Sequence, residues 1–230
     1  MNNEEDLKND SKRSHGDLAK RYKFEKIVEL KNLEKYKEPF VKSIKITDIL
    51  TCVTTPGYIR FLCETDRDFT DLIPFIFLSY PPGLVNLSSK DQSLTIKIYD
   101  RMISFLPPND IGVTNTPDEN AAVEFVQILG DILNKAYNEM LTNPKPDINE
   151  INNAKRVKWT DVYKFLPKKN CKECGLPICS SFALSVIAGE KKLRDCPYLR
   201  KQPYKKKLLE FNKKFGTRLV KALGCECLDS

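Results

Sequence analysis

Four cysteines carry the chemistry open to this sequence: Cys171, Cys174, Cys179 and Cys196, spaced C-x2-C-x4-C-x16-C. Four thiolates serve either a cubane iron–sulfur cluster or a closed tetrahedral zinc site. Structural zinc usually takes paired C-x2-C knuckles, whereas a cubane takes three ligands from one tight loop and a fourth from a distant turn. Here a single C-x2-C stands alone and Cys196 lies far along the chain, which favours the cubane. Gly175 and Pro177 suit a loop that must curl closely, and Pro197 fixes the turn that aims Cys196 inward. Ser180–Ala188 has helical composition, with Phe182, Ala183 and Val186 expected to shield the cluster and Gly189 to stop the helix.

The run LPKKNCKECGLPICSSFA from Leu166 to Ala183, followed by Gly189 and by Cys196-Pro197-Tyr198-Leu199, resembles a known module. It is similar to the short 4Fe–4S domain of the corrinoid iron–sulfur protein large subunit and of the B subunit of Rnf-type electron-transport complexes. The resemblance covers residues 166–199 and implies a [4Fe–4S] cluster, with each of the four cysteines ligating one iron. Lys172 and Ile178 stand where smaller or more polar residues are expected. Neither is a ligand, so cluster binding is little affected. The likeness says nothing of residues 1–150, and the larger activities of those proteins do not transfer.

The other cysteines read differently. Cys63 shares an alternating apolar face with Ile59 and Phe61 and is expected in the core, while Cys52 is ambiguous. Cys225 and Cys227 form a C-x-C that cannot complete a four-thiol site, and incidental tail thiols are the simpler expectation.

The N-terminal run MNNEEDLKNDSKRSHGD lacks an apolar core, and no stretch of eighteen apolar residues exists. No membrane span and a cytoplasmic location are therefore expected, and in a reducing compartment clustered cysteines serve metals. The lone histidine, His15, is incidental in a polar tail.

Charge divides the chain. Residues 151–230 hold 19 Lys+Arg against 7 Asp+Glu, a net +12, while residues 1–150 carry a net −5. Lys168, Lys169, Lys191, Lys192, Arg194, Arg200, Lys201 and Lys205–Lys207 would favour the reduced form of a cluster. They would also steer an acidic redox protein or a larger enzyme complex onto the basic C-terminal half. Nucleic acid is the lesser reading, because no helix-turn-helix, zinc-finger or RNA-recognition pattern accompanies the charge. A solvated helix face over Lys205–Lys221, with Leu208, Leu209, Phe211 and Phe215 inward, accounts equally well for part of it.

The expected fold is α+β: a small antiparallel sheet with helices on one face, followed by a small helix-rich Fe–S module. Residues 1–43 read as a polar, partly disordered arm that enters a surface helix or extended segment from Phe24. Residues 44–142 read as an α+β domain, 143–156 as a linker, and 157–230 as the cluster domain with a basic C-terminal helix. Within the second unit, strands are expected at Tyr58–Glu64, Leu94–Ile98, Met102–Leu106 and Ile111–Thr114, and a buried helix at Phe69–Leu78. A long helix follows, with Thr116 as N-cap and an apolar stripe from Ala122 to Tyr137.

No Gly-rich phosphate loop or diagnostic carboxylate pair is present, so catalytic residues are not expected. The sequence reads as a 4Fe–4S electron-transfer or redox partner protein of anaerobic metabolism, an electron carrier or accessory subunit. The alternatives are a non-redox assembly or regulatory protein with a structural or oxygen-sensing cluster, and a zinc-stabilised nucleic-acid binder.

Overall fold

The computed structural model describes residues 21–53 and 55–225. The expected polar tail before residue 21, His15 and Cys227 lie outside the described residues. Strands β1 (Arg21–Glu29), β2 (Ser43–Thr51), β3 (Ile59–Glu64), β4 (Val85–Leu87), β5 (Leu94–Ile98), β6 (Arg101–Leu106) and β7 (Asp110–Thr116) form one antiparallel sheet in the order β1-β2-β3-β7-β6-β5-β4. After β3 the chain crosses to the far edge and returns as a meander that closes beside β3. The helices are α1 (Ile73–Leu78), α2 (Glu119–Thr142), α3 (Ile148–Arg156), α4 (Trp159–Phe165), α5 (Cys179–Ile187), α6 (Tyr204–Phe215) and α7 (Thr217–Ala222). The expected α+β class holds, with the helices concentrated after the sheet.

Alternation decides which face is buried. Phe61, Val113, Ile103 and Ile96 stand opposite one another across four strands, as do Cys63, Ile111, Phe105 and Leu94. All eight are buried. In β2 the register shifts between Ile46 and Asp48, so Ile46 and Ile49 both face inward although three positions apart. That bulge breaks the period-2 pattern. The segment from Phe24 to Ile46, read as a surface helix or extended arm, is extended over β1, turns at Leu33–Lys35 and enters β2. Tyr99 and Asp100 both adopt left-handed backbone angles, φ 51° and 57°, as a tight two-residue hairpin between β5 and β6 requires.

Helix α2 lays its apolar stripe on the sheet, burying Ala122, Phe125, Val126, Leu129 and Leu133. Its N-cap is Asp118, not Thr116: the Asp118 carboxylate accepts from Ala121 N at 2.8 Å, while Thr116 remains in β7. The sequence marked no role for Asn134, yet it is fully buried. Its amide accepts from Val41 N at 3.0 Å and donates to Val41 O at 3.1 Å, satisfying both backbone groups there.

The stretch read as a linker carries α3, whose N-cap Asp147 accepts from the amides of Asn149 and Glu150 and whose Ala154 is buried. The basic C-terminal helix is two helices, broken at Gly216 with φ +90°. Leu208, Phe211 and Phe215 turn inward as expected, whereas Leu209 is exposed.

Sheet and C-terminal helices share one hydrophobic core, running from Val28 to Cys225. Helix α1 lies at the junction, buried along its length and packed against α2, α3, α7 and β4. Arg218 of α7 clamps the same region. It donates to Glu139 at 3.0 Å, to Glu150 at 2.8 Å and to the Pro144 carbonyl at 2.6 Å. Backbones also meet at this junction: a Cβ on Gly83 would lie 2.6 Å from the Ile187 carbonyl oxygen at the end of α5.

Two outcomes follow from this junction. Gly83→Ala should destabilise the protein by about 2–3 kcal/mol in urea denaturation, since backbone cannot give way as a side chain can. Burial, aided by the charge of Tyr99, pushes the Tyr80 hydroxyl from its ordinary 10 up to about 12. The unfolded chain ionises first, so this contribution is intact below pH 10 and is lost as pH rises toward 12. The denaturation midpoint should fall over that window, and fall less in Tyr80→Phe.

Candidate metal centre

The site is assembled from a loop, a helix start and a separate turn. Helix α4 leads in, its first turn secured by the Asp161 carboxylate accepting from Lys158 N at 3.1 Å. Pro167 follows its C-cap Leu166 and prevents continuation. Beyond it, Lys168, Asn170 and Lys172 take φ of 59°, 49° and 64°, with Gly175 at 82°. Left-handed residues at alternate positions curl the backbone tightly. Asn tolerates this conformation, whereas each lysine pays for it in backbone strain of order 1 kcal/mol. The departure from a smaller residue at Lys172 is thus a departure at a strained position.

The loop ends where α5 begins, at Cys179. The Asn170 side chain accepts from Cys179 N at 2.9 Å, tying the loop to the helix start. Cys179 is thereby fixed as the first residue of α5. Gly175 N donates to Lys172 O at 2.8 Å, closing the turn that carries Cys174.

Cys196 arrives from another direction, after the short turn Leu193–Asp195. That turn is braced by the chain's last described residues: Leu193 N donates to Leu223 O at 2.8 Å and Arg194 N to Gly224 O at 3.3 Å. Burial pushes the Cys196 thiol up, the Tyr198 and Leu199 amides pull it down, and Cys174 and Cys179 push it up again. A thiolate at that position needs a compensating cation beside it.

Leu166, Asn170, Cys171, Cys174, Leu176, Ile178, Cys179, Phe182, Cys196 and Pro197 line a single cavity, with Lys169, Lys172 and Tyr198 at its wall. Its four cysteines are graded: Cys171 is exposed, Cys174 and Cys179 are half-buried, and Cys196 is buried. Of the expected shield, Phe182 reaches the cavity, while Ala183 and Val186 pack in the core. Among the described residues, no three of His, Cys, Asp and Glu are grouped to hold a single metal ion.

The remaining cysteines lie elsewhere. Cys63 is in the sheet core, as expected, with its thiol pushed up by burial. Cys52 is buried beyond β2, its amide donating to Tyr58 O at 2.8 Å. Cys225 is no exposed tail thiol: it is buried, with its amide donating to Val220 O at 3.1 Å. None of the seven described cysteines forms a disulfide. One residue that shapes the site was given no role in the sequence, Asn170. An Asn between lysines just before a cysteine could have signalled a left-handed turn.

Residues 166–198 match the family described as "Putative Fe-S cluster". This segment is an iron–sulfur cluster domain, and four thiols around one cavity are a donor set that suits one. The same region is 41% identical over 59 residues to the gamma subunit of the acetyl-CoA decarbonylase/synthase complex of Methanocaldococcus jannaschii, covering 24% of this chain and 12% of that protein. It is 51% identical over 39 residues to the corrinoid/iron-sulfur protein large subunit of Moorella thermoacetica, covering 17% of this chain and 9% of that protein. The expected likeness to the latter holds over this segment alone, and the match spans only 9% to 12% of the length of these relatives. No solved structure matches the chain. Among the described residues, no helix is long and apolar enough to cross a membrane.

Asn170 gives a direct test of the loop. Asn170→Gly keeps the left-handed backbone and loses the bond to Cys179 N, costing about 1 kcal/mol in urea denaturation. Asn170→Ala loses both and should cost about 2 kcal/mol.

Proposed function

We propose that this protein binds one [4Fe–4S] cluster through Cys171, Cys174, Cys179 and Cys196 and acts as an electron-transfer or redox partner protein in anaerobic metabolism. The observation that carries the reading is the single cavity to which one loop, one helix start and one separate turn each deliver thiols. A cubane holds its four thiolates at its outer corners. Donors that line a cavity without gathering on one point suit that geometry better than tetrahedral zinc. The printed names of the relatives, an iron–sulfur protein and a subunit of a carbon-transforming complex, agree with redox work in such metabolism.

When bound, the cluster supplies a reversible one-electron couple. The chain's own residues do the rest. Leu166, Leu176 and Phe182 keep water from the inner side of the cavity. The Tyr198 and Leu199 amides soften the charge on the Cys196 sulfur. Exposed lysines around Cys171 offset the negative charge of a four-thiolate cluster and favour the reduced form. A cytoplasmic location and an acidic redox protein or larger complex as partner belong to the same proposal, supported by the cysteines described without disulfides and the net +12 of residues 151–230.

Protein purified without oxygen should be brown, with about four iron and four sulfide per chain. Serine at any of Cys171, Cys174, Cys179 or Cys196 should lower the iron content severalfold, while Cys225→Ala retains it. Colourless preparations that contain zinc and no acid-labile sulfide would overturn the proposal.

A further inference from the structure

We propose that an acidic one-electron carrier protein docks on the face built around Tyr198, from Lys168 to Lys172 and across Pro197 to Lys201. The inference rests on the electron-transfer reading above and adds the surface through which the electron passes. The cavity is open on this side, since Cys171 is the exposed member of the quartet. Pro197 is a wall shared by two hollows: the cysteine cavity and an outer depression lined by Glu173, Arg194, Asp195, Arg200 and Lys201. A partner seated in the outer hollow is separated from the inner one by little more than that proline and Tyr198.

Charge selects the partner. Lys168, Lys169, Lys172, Arg200 and Lys201 are all exposed, and none forms an ion pair among the described residues. Some cations are matched within the chain, as in Arg21–Asp48, Lys35–Asp131 and Arg218–Glu150, each within 3.0 Å, whereas Lys169, Lys172, Arg200 and Lys201 sit together around the two adjoining hollows. The two carboxylates of the outer hollow are already engaged. Glu173 accepts from the Tyr198 hydroxyl at 2.7 Å and Asp195 from Lys192 N at 2.8 Å. Three lysine heads rest on aromatic rings instead of acids: Lys169 and Lys201 lie 4.3 and 5.2 Å from the Tyr198 centroid, and Lys168 lies 5.0 Å from that of Tyr163. Those contacts hold the cations in place without neutralising them. Spread over two rings, they fit the acidic surface of a protein better than a small anion. One electron leaves the reduced carrier and enters this protein, with no bond made or broken and no proton moved.

The test uses cluster-loaded protein and a reduced acidic ferredoxin in stopped flow at low and high salt. Arg200→Glu/Lys201→Glu should slow exchange about tenfold or more at low salt and flatten the salt dependence. The charge-matched pair Lys90→Glu/Lys97→Glu on the sheet side should change the rate by less than about twofold. Iron content, the paramagnetic resonance signal and reduction by methyl viologen should be unchanged in both. Equal rates in the two double variants, a wild-type rate indifferent to salt, or no exchange with ferredoxin while methyl viologen reacts would each overturn the docking face. So would a loss confined to nucleic-acid binding. Failure of the electron-transfer reading itself shows separately, as wild-type protein without a reversible couple in voltammetry.

Discussion

Four thiolates can share one small volume only if a cation sits among them and a rigid frame prevents the chain from relaxing outward. The frame is the demanding part. A segment of about thirty residues cannot bury enough apolar surface to hold itself together. This one borrows: Leu166, Phe182, Val186, Leu193 and Leu199 belong to the same hydrophobic core as the sheet. The backbone contact between Gly83 and the end of α5 presses the helix that starts at Cys179 against the sheet side. Position at the sulfurs is thereby set by packing that begins far from them.

Within that frame three of the four cysteines are each held by a different device. Cys179 is fixed by its place at a helix start, with Asn170 as acceptor. Cys174 follows from a tight turn closed at Gly175. Cys196 depends on a short turn whose amides lean on the carbonyls of Leu223 and Gly224. The C-terminal residues are therefore part of the site's support, and the burial of Cys225 is a consequence of that bracing. The gradient from exposed Cys171 to buried Cys196 makes the site one-sided, with an inner wall of side chains and an outer rim of cations.

Much of the site was legible in the residues. Spacing placed three cysteines in a loop and a fourth in a separate turn, as the structure does, and Gly189, with φ +78°, ends α5 as its type implies. Strands β3, β5, β6 and β7 and the stripe of α2 followed from period 2 and period 3.6. What was missed shares one cause, namely tertiary contacts that override local pattern. The bulge in β2 breaks alternation, three-residue β4 is too short to show any, and α3 is a polar helix stabilised by its cap and by Arg218.

The sequence by itself determined the cysteine spacing and the loop's turn residues, because turn conformation is a property of residue types at fixed spacing. It also determined the division of charge between the halves. Only the tertiary structure decided that the halves share one core, that the C-terminal residues brace the fourth ligand, and which lysines stay unmatched around the open edge. Those outcomes depend on which distant groups meet, and spacing along a chain carries no record of that.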